Sequence, residues 1–151
     1  MNVTVDLQNA SGVRKLPLKR QFAQWASLAL ADMPATAERT HLSIRIVDES
    51  ESAELNERYR NKQGSTNILS FPVPPALIAA GTLGDLAICA QVVDREAREQ
   101  GKSAPAHWAH LVIHGVLHLQ GYDHESAPDA ARMEALEVSI LDKLDIANPY
   151  Q

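Results

Sequence analysis

The segment from His114 to His124 reads HGVLHLQGYDH. His114 and His118 are four apart in a stretch that predicts a helix, so both rings share one face, with Cβ atoms about 5–6 Å apart. Two imidazoles placed this way can converge on a metal ion at about 2.0–2.1 Å each. Gly121 lets the chain turn sharply, and His124, three residues on, can fold back towards the same point. Three neutral nitrogen donors suit zinc, although cobalt, nickel or copper would also bind. Three protein ligands leave a fourth position open, the arrangement of catalytic rather than structural zinc. An open position on zinc lowers the pKa of water from about 15.7 to about 7, so the implied chemistry is hydrolysis or a related attack by activated oxygen.

The neighbours sharpen this reading. His114 and His118 lie among Leu, Val and Ile, where an imidazole without a partner would carry a desolvation cost of about 1–3 kcal/mol. Gly115 costs about 1 kcal/mol relative to Ala in a helix and points to a close approach, either by substrate or by a packed element. His110 shares the face but lies about 12 Å along the axis from His118, so it reads as a satisfied histidine rather than a co-ligand, with support of a ligand imidazole or contact to substrate as the alternative. His107, at the helix start, reads as surface. Asp123 is either an acceptor for a ligand imidazole or an exposed turn residue, and Glu125 begins a polar loop. The HExxH pattern is absent, because Gly115 stands where its Glu would be, and that counts against peptidase chemistry.

The elements that must position these residues can be read from periodicity. Val3, Val5 and Leu7 alternate with polar residues and predict a strand. Pro17 suits a helix start, and Leu18, Phe22, Trp25 and Ala29 carry that helix to about Leu30. Leu42, Ile44 and Ile46 predict a second strand. A helix over Glu49 to Arg60 is broken by Gly64 and Ser65. Thr66 to Val73 is β-like, with Pro72 arguing for a sheet edge. A loop with Pro74, Pro75 and Gly81 follows, then a short buried strand over Asp85 to Ala90. Val92 to Gln100 is a helix closed by Gly101. Ala104 to Gln120 is a mostly apolar, hence central, helix. Ser126 caps a final helix, with Met133, Leu136, Ile140 and Leu144 as its core stripe. The expected fold class is α+β (mixed α/β), a single domain over residues 1–151 with a small, mainly four-stranded sheet and about five helices.

Composition sets the outer bounds. The chain has 151 residues, 45% apolar and 22% charged, with a net charge of −5. This is ordinary for a globular domain and excludes a disordered chain. It also excludes a general basic coat for nucleic acid, though not a local basic patch. The one cysteine, Cys89, reads as a small buried side chain and allows no internal disulfide. No apolar run approaches the roughly 20 residues of a membrane helix, and the N-terminus does not read as a signal peptide. The expected compartment is the cytoplasm, and neither membrane nor DNA is an expected partner.

Three segments, in order, carry a family resemblance: RYRNKQGSTNILSFP (Arg58 to Pro72), LGDLAICAQVV (Leu83 to Val93) and AHWAHLVIHGVLHLQGYDH (Ala106 to His124). Together they resemble the YbeY family of bacterial metal-dependent endoribonucleases. The resemblance implies a compact α/β domain with zinc on His114, His118 and His124. It implies cleavage of single-stranded RNA, maturation of ribosomal RNA (notably the 3′ end of the small-subunit RNA) and a part in ribosome quality control. It also implies a functional arginine in the YR pair, Arg60, which residue type alone would leave as a solvated charge. A guanidinium is permanently charged and grips phosphate oxygens with paired hydrogen bonds, so beside zinc it would stabilise the charge that develops during phosphodiester cleavage.

Lys62 and Arg58 can extend a basic strip or remain solvated. Asp85 can orient an arginine or a histidine, or face solvent at a strand start. Thr66, Asn67 and Ser70 can line an RNA groove or satisfy strand-end backbone. A net charge of −5 predicts weak nonspecific RNA binding, so selectivity is expected from the ribosomal particle or a ribosome-associated protein. Two rival readings stay open: a zinc hydrolase of another substrate, and a non-catalytic ribosome assembly factor whose zinc only stabilises the fold. The second needs a fourth protein ligand from His110, Asp123 or Glu125.

Overall fold

The computed structural model describes residues 3–30, 41–74, 81–122 and 125–150. In chain order the elements are β1 (Thr4–Asn9), α1 (Lys19–Leu30), β2 (His41–Val47), α2 (Glu49–Arg60), β3 (Ile68–Pro72), β4 (Thr82–Cys89), α3 (Ala90–Glu99), α4 (Ala104–Leu119) and α5 (Ala127–Asp142). The sheet order is β1-β2-β4-β3. β1, β2 and β4 run parallel, while β3 runs antiparallel to β4. This matches the expected α+β class with a four-stranded sheet. β3 is an edge strand, where Pro72 does least harm to the ladder.

The pleat divides the sheet into two unlike faces. Register places Val5, Leu42, Ile44, Ile46, Leu86, Ile88, Ile68 and Ser70 on one face. All but Ser70 are buried, and they join the main core. The other face carries Asp6, Gln8, Ser43, Arg45, Asp85 and Phe71 and is covered only in part, by α2. Helix α4 packs on the apolar face against β3 and β4 and is flanked by α1, α3 and α5. Ten of its sixteen residues are buried, which makes it the central helix its composition predicted. Phe22 joins Trp25 and Trp108 edge-to-face at 5.6 and 5.7 Å, tying α1 to α4.

Capping fixes where α4 begins and ends. Ser103 Oγ accepts from Ala106 N at 3.2 Å, and Pro105 sits in the first turn. At the other end Tyr122 N donates to Leu117 O and Gly121 N to His118 O, with Gly121 at φ +98°. This is the Schellman pairing, which needs a left-handed residue where Gly121 stands. Residues 123–124, including His124, lie outside the described residues.

Two elements start elsewhere than periodicity suggests. β3 begins at Ile68 rather than Thr66, because the Thr66 N–H and C=O are both held by Ser52 Oγ on α2 at 2.9 Å. β4 begins at Thr82 rather than Asp85, because β2 offers backbone partners from His41 onward. Gly84 lies in that extension, at φ +148°. A Cβ there would meet Leu119 Cδ2 at 2.7 Å and the Phe71 carbonyl oxygen at 2.9 Å. Gly115 also marks a close approach, in which α4 settles onto the sheet: its Cβ would meet Ile68 Cδ1 at 2.7 Å and Leu86 Cδ2 at 2.8 Å.

These two glycines predict different costs. Gly84→Ala meets fixed backbone and an unfavourable φ, and should lose about 1–3 kcal/mol of stability. Gly115→Ala meets only methyl tips and gains about 1 kcal/mol of helix propensity, so it should cost less. Urea unfolding midpoints of the two variants check the order.

Candidate metal centre and substrate cavity

His114 and His118 project from one face of α4 into a cavity of about 600 Å³. The wall is completed by Tyr59 and Arg60 from the last turn of α2 and by Asn67 to Pro72 along β3. The two rings lie 4.6 Å apart at 81°, and their Nε2 atoms are 3.1 Å apart. Neighbouring donors of a tetrahedral zinc shell at about 2.0–2.1 Å stand about 3.3 Å apart, so the pair fits such an ion. Among the described residues no three His, Cys, Asp or Glu side chains form a metal-ligand group. His114 and His118 supply two donors, and the expected third, His124, is outside the described residues, as is Asp123.

The orientation of His114 is set by Glu137 on α5, a residue that sequence reasoning missed. Its carboxylate has 0% exposure and accepts from His114 Nδ1–H. It also accepts from His110 Nε2 at 3.2 Å and from the Tyr150 hydroxyl. Burial pushes the Glu137 carboxyl up, but the hydrogen bonds from His110, His114 and Tyr150 outweigh it and leave the pKa at about 2. Burial, then the Glu137 carboxylate, push the Tyr150 hydroxyl well above its usual range. An ionised carboxylate can only accept, so Nδ1 of His114 carries the proton and the Nε2 lone pair faces the cavity. A ligand imidazole needs this tautomer. The sequence held a signal: Glu137 falls between Met133 and Ile140 on the buried stripe of α5. An acid within an apolar stripe requires a buried partner.

His107 is not a surface residue. It is 3% exposed, and its Nε2 lies 2.9 Å from Glu96 on α3. The helix start packs against α3, which supplies the partner that sequence spacing could not reveal. His110 is bound through Nε2 to Glu137, but its buried Nδ1 has no hydrogen-bond partner among the described residues, so it is only half satisfied. Asp85 is exposed on the polar face of the sheet and does not line the histidine cavity. Arg58 pairs with Glu54 at 3.4 Å and Lys62 is exposed. Cys89 is buried. Ser70 and Asn67 line the cavity. The Asn67 Nδ2 donates to Glu96 at 3.1 Å, and its Oδ1 accepts from Ile68 N at 2.7 Å, so its side chain organises the start of β3.

Arg60 is held in place through its helix. Asp48 Oδ1 caps the N-terminus of α2, accepting from Glu51 N at 2.9 Å, and Asn61, left-handed at φ 55°, closes the other end. The loop after it is pinned back by Asn56 Nδ2 to Gly64 O at 2.9 Å and by Ser52 to Thr66. Ser52 and Asn56 are both buried. Arg60 is exposed at the cavity rim, and among the described residues its guanidinium has no ion-pair or hydrogen-bond partner.

Fold and site together define an α+β protein with a candidate metal centre on a buried helix. The model of the family described as Endoribonuclease YbeY matches residues 5–145, and the chain belongs to that family. It is 49% identical to Endoribonuclease YbeY of Nitrosococcus oceani, over 100% of this chain and 99% of that protein. It is 53% identical to Endoribonuclease YbeY of Pseudomonas fluorescens, over 97% and 95%. The solution structure of TM1509 from Thermotoga maritima shares the fold, with a TM-score of 0.56 over 94% of this chain and 92% of that one at 24% identity. No helix among the described residues is long and apolar enough to cross a membrane.

The Glu96 network makes a pH prediction. The hydrogen bond from His107, aided by Asn67, holds the Glu96 carboxyl below its usual range against the opposing effect of burial. A depressed folded-state pKa contributes stability that is full above the unfolded value of about 4.3. That stability is lost as the pH falls through the folded value. Parent and Glu96→Gln should therefore differ in urea midpoint at neutral pH, and the gap should narrow as the pH falls below about 4.3. A gap independent of pH would show that the charge on Glu96 is not what the network uses.

Proposed function

We propose that the chain is a metal-dependent endoribonuclease that cleaves single-stranded RNA. His114, His118 and His124 would hold zinc, and Arg60 would bind the scissile phosphate. The observation that carries this reading is the meeting, in one cavity, of two facing imidazoles with a guanidinium that has no partner among the described residues. Family membership supports the reaction class.

When bound, zinc supplies an acidified water and a Lewis acid for a phosphoryl oxygen. The chain's own groups do the rest. Glu137 keeps the His114 lone pair aimed into the cavity. The Arg60 guanidinium donates two parallel hydrogen bonds to nonbridging phosphate oxygens, and its charge is worth more as those oxygens gain charge. The groove along β3 admits an extended strand. The biological role that best suits this activity is ribosomal RNA maturation, including the small-subunit 3′ end, and ribosome quality control in the cytoplasm. The −5 net charge leaves target choice to the ribosomal particle. The non-catalytic assembly-factor reading is weakened at His110, whose Nε2 is engaged by Glu137 instead of facing the cavity.

Cleavage of a labelled single-stranded RNA tests the proposal, with variants purified identically. His118→Ala should lose bound zinc and activity together. Arg60→Ala should keep its zinc and lose about 100- to 1,000-fold in kcat. Glu137→Gln should weaken zinc binding about 10- to 100-fold, read by competition with a chromophoric chelator. Equal cleavage by the parent and His118→Ala would sink the proposal.

A further inference from the structure

The histidine cavity has an aromatic lip that the chemistry above does not use. Tyr59 precedes Arg60 on the last turn of α2 and is 59% exposed, though it is large and largely apolar. Its ring meets Phe71 of the edge strand edge-to-face, with centroids 5.1 Å apart at 75°. Both rings line the same cavity as Arg60, His114 and His118. Among the described residues the other exposed large apolar side chains are Leu18 and Tyr150, and Tyr150 is explained by its bond to Glu137. Among the described residues, Tyr59 has no hydrogen bond of that kind to account for its exposed surface.

Register places Phe71 on the polar face of the sheet, while Ser70 points to the opposite face, towards Gly115 of α4. The cavity therefore wraps around the outermost strand, with the imidazoles on one side and the aromatic pair, next to Arg60, on the other. Beyond that pair lies a second depression that includes Asp85 and Glu51, with Glu51 already bound to Arg45 at 2.6 Å. Arg45 also lines it and offsets Glu51, which leaves Asp85 as its net negative charge, so a backbone held between Arg60 and the imidazoles turns a base rather than a phosphate towards the rings.

We propose that Tyr59, buttressed by Phe71, stacks a base of the RNA next to the scissile phosphate and is the origin of the preference for single strands. This inference rests on the endoribonuclease reading. Every base has a π face that an aromatic ring can cover, whatever the sequence, and the contact is strong for unpaired nucleotides. In a duplex both faces of each base are already covered by neighbours, so Tyr59 can engage only an unstacked strand.

The test uses the full chain and a short single-stranded RNA in which 2-aminopurine is walked through each position. One position should be quenched on binding to the parent. Tyr59→Ala should abolish that quench and raise Kd roughly 10- to 100-fold, while Tyr59→Phe restores both. Cleavage of single strand over duplex should become less selective in Tyr59→Ala. Because Tyr59 is exposed, its thermal midpoint should match the parent's. An unchanged Kd and quench in Tyr59→Ala, with the parent still cutting RNA, overturns this inference alone. Failure of Tyr59→Phe to restore binding overturns it too, since the ring face would not be the determinant. A parent that neither binds nor cuts single-stranded RNA overturns the inference and the nuclease reading together.

Discussion

Glu137 has no exposed surface, yet it is charged. An isolated carboxylate in such a place would take up a proton. Here His114, His110 and Tyr150 surround it and keep it ionised. Removing a hydrogen-bond partner from a buried group costs about 1–3 kcal/mol, and more when the group is charged, so α4, α5 and the segment at Tyr150 are tied to a single relative placement. The same contact fixes which His114 nitrogen faces the cavity. Stability and site geometry thus share one interaction, and changing that carboxylate alters both.

A second constraint comes from the sheet edge. Helix α4 can bring its imidazoles to the surface only where the sheet ends, and β3 supplies that end. Gly115 lets the helix lie close on Ile68 and Leu86, so His114, one position before it, sits low beside β3. On the far side Ser52 and Asn56 tie the loop after α2 to that helix, which brings Arg60 to the same rim. Cation, imidazoles and aromatic rings come from three separate elements and meet only because the edge strand lies between them.

Much of this was legible in the residues. The period-two strands, the apolar length of α4, the cap at Ser126 and the glycine after α4 depend on local rules, and local rules survive folding. The helical spacing of His114 and His118 is equally local, because four residues always bring side chains to one face. The errors lie where a partner is distant in sequence. His107 read as surface because its partner, Glu96, belongs to another helix. Thr66 read as strand because Ser52, fourteen residues away, captures its backbone. Glu137 escaped notice because its acidity made sense only beside an imidazole 23 residues earlier.

The sequence alone determined the class of elements, their approximate limits, the shared face of two imidazoles and the family to which three ordered segments pointed. Periodicity, capping and motif spacing are properties of short stretches, so they need no knowledge of the whole chain. The tertiary structure alone decided which side of the sheet is covered, that the buried Glu137 aims His114, and that Tyr59, Arg60 and Phe71 share a cavity with the histidines. Those outcomes depend on burial and on long-range packing, and both are set by how elements meet rather than by what each contains.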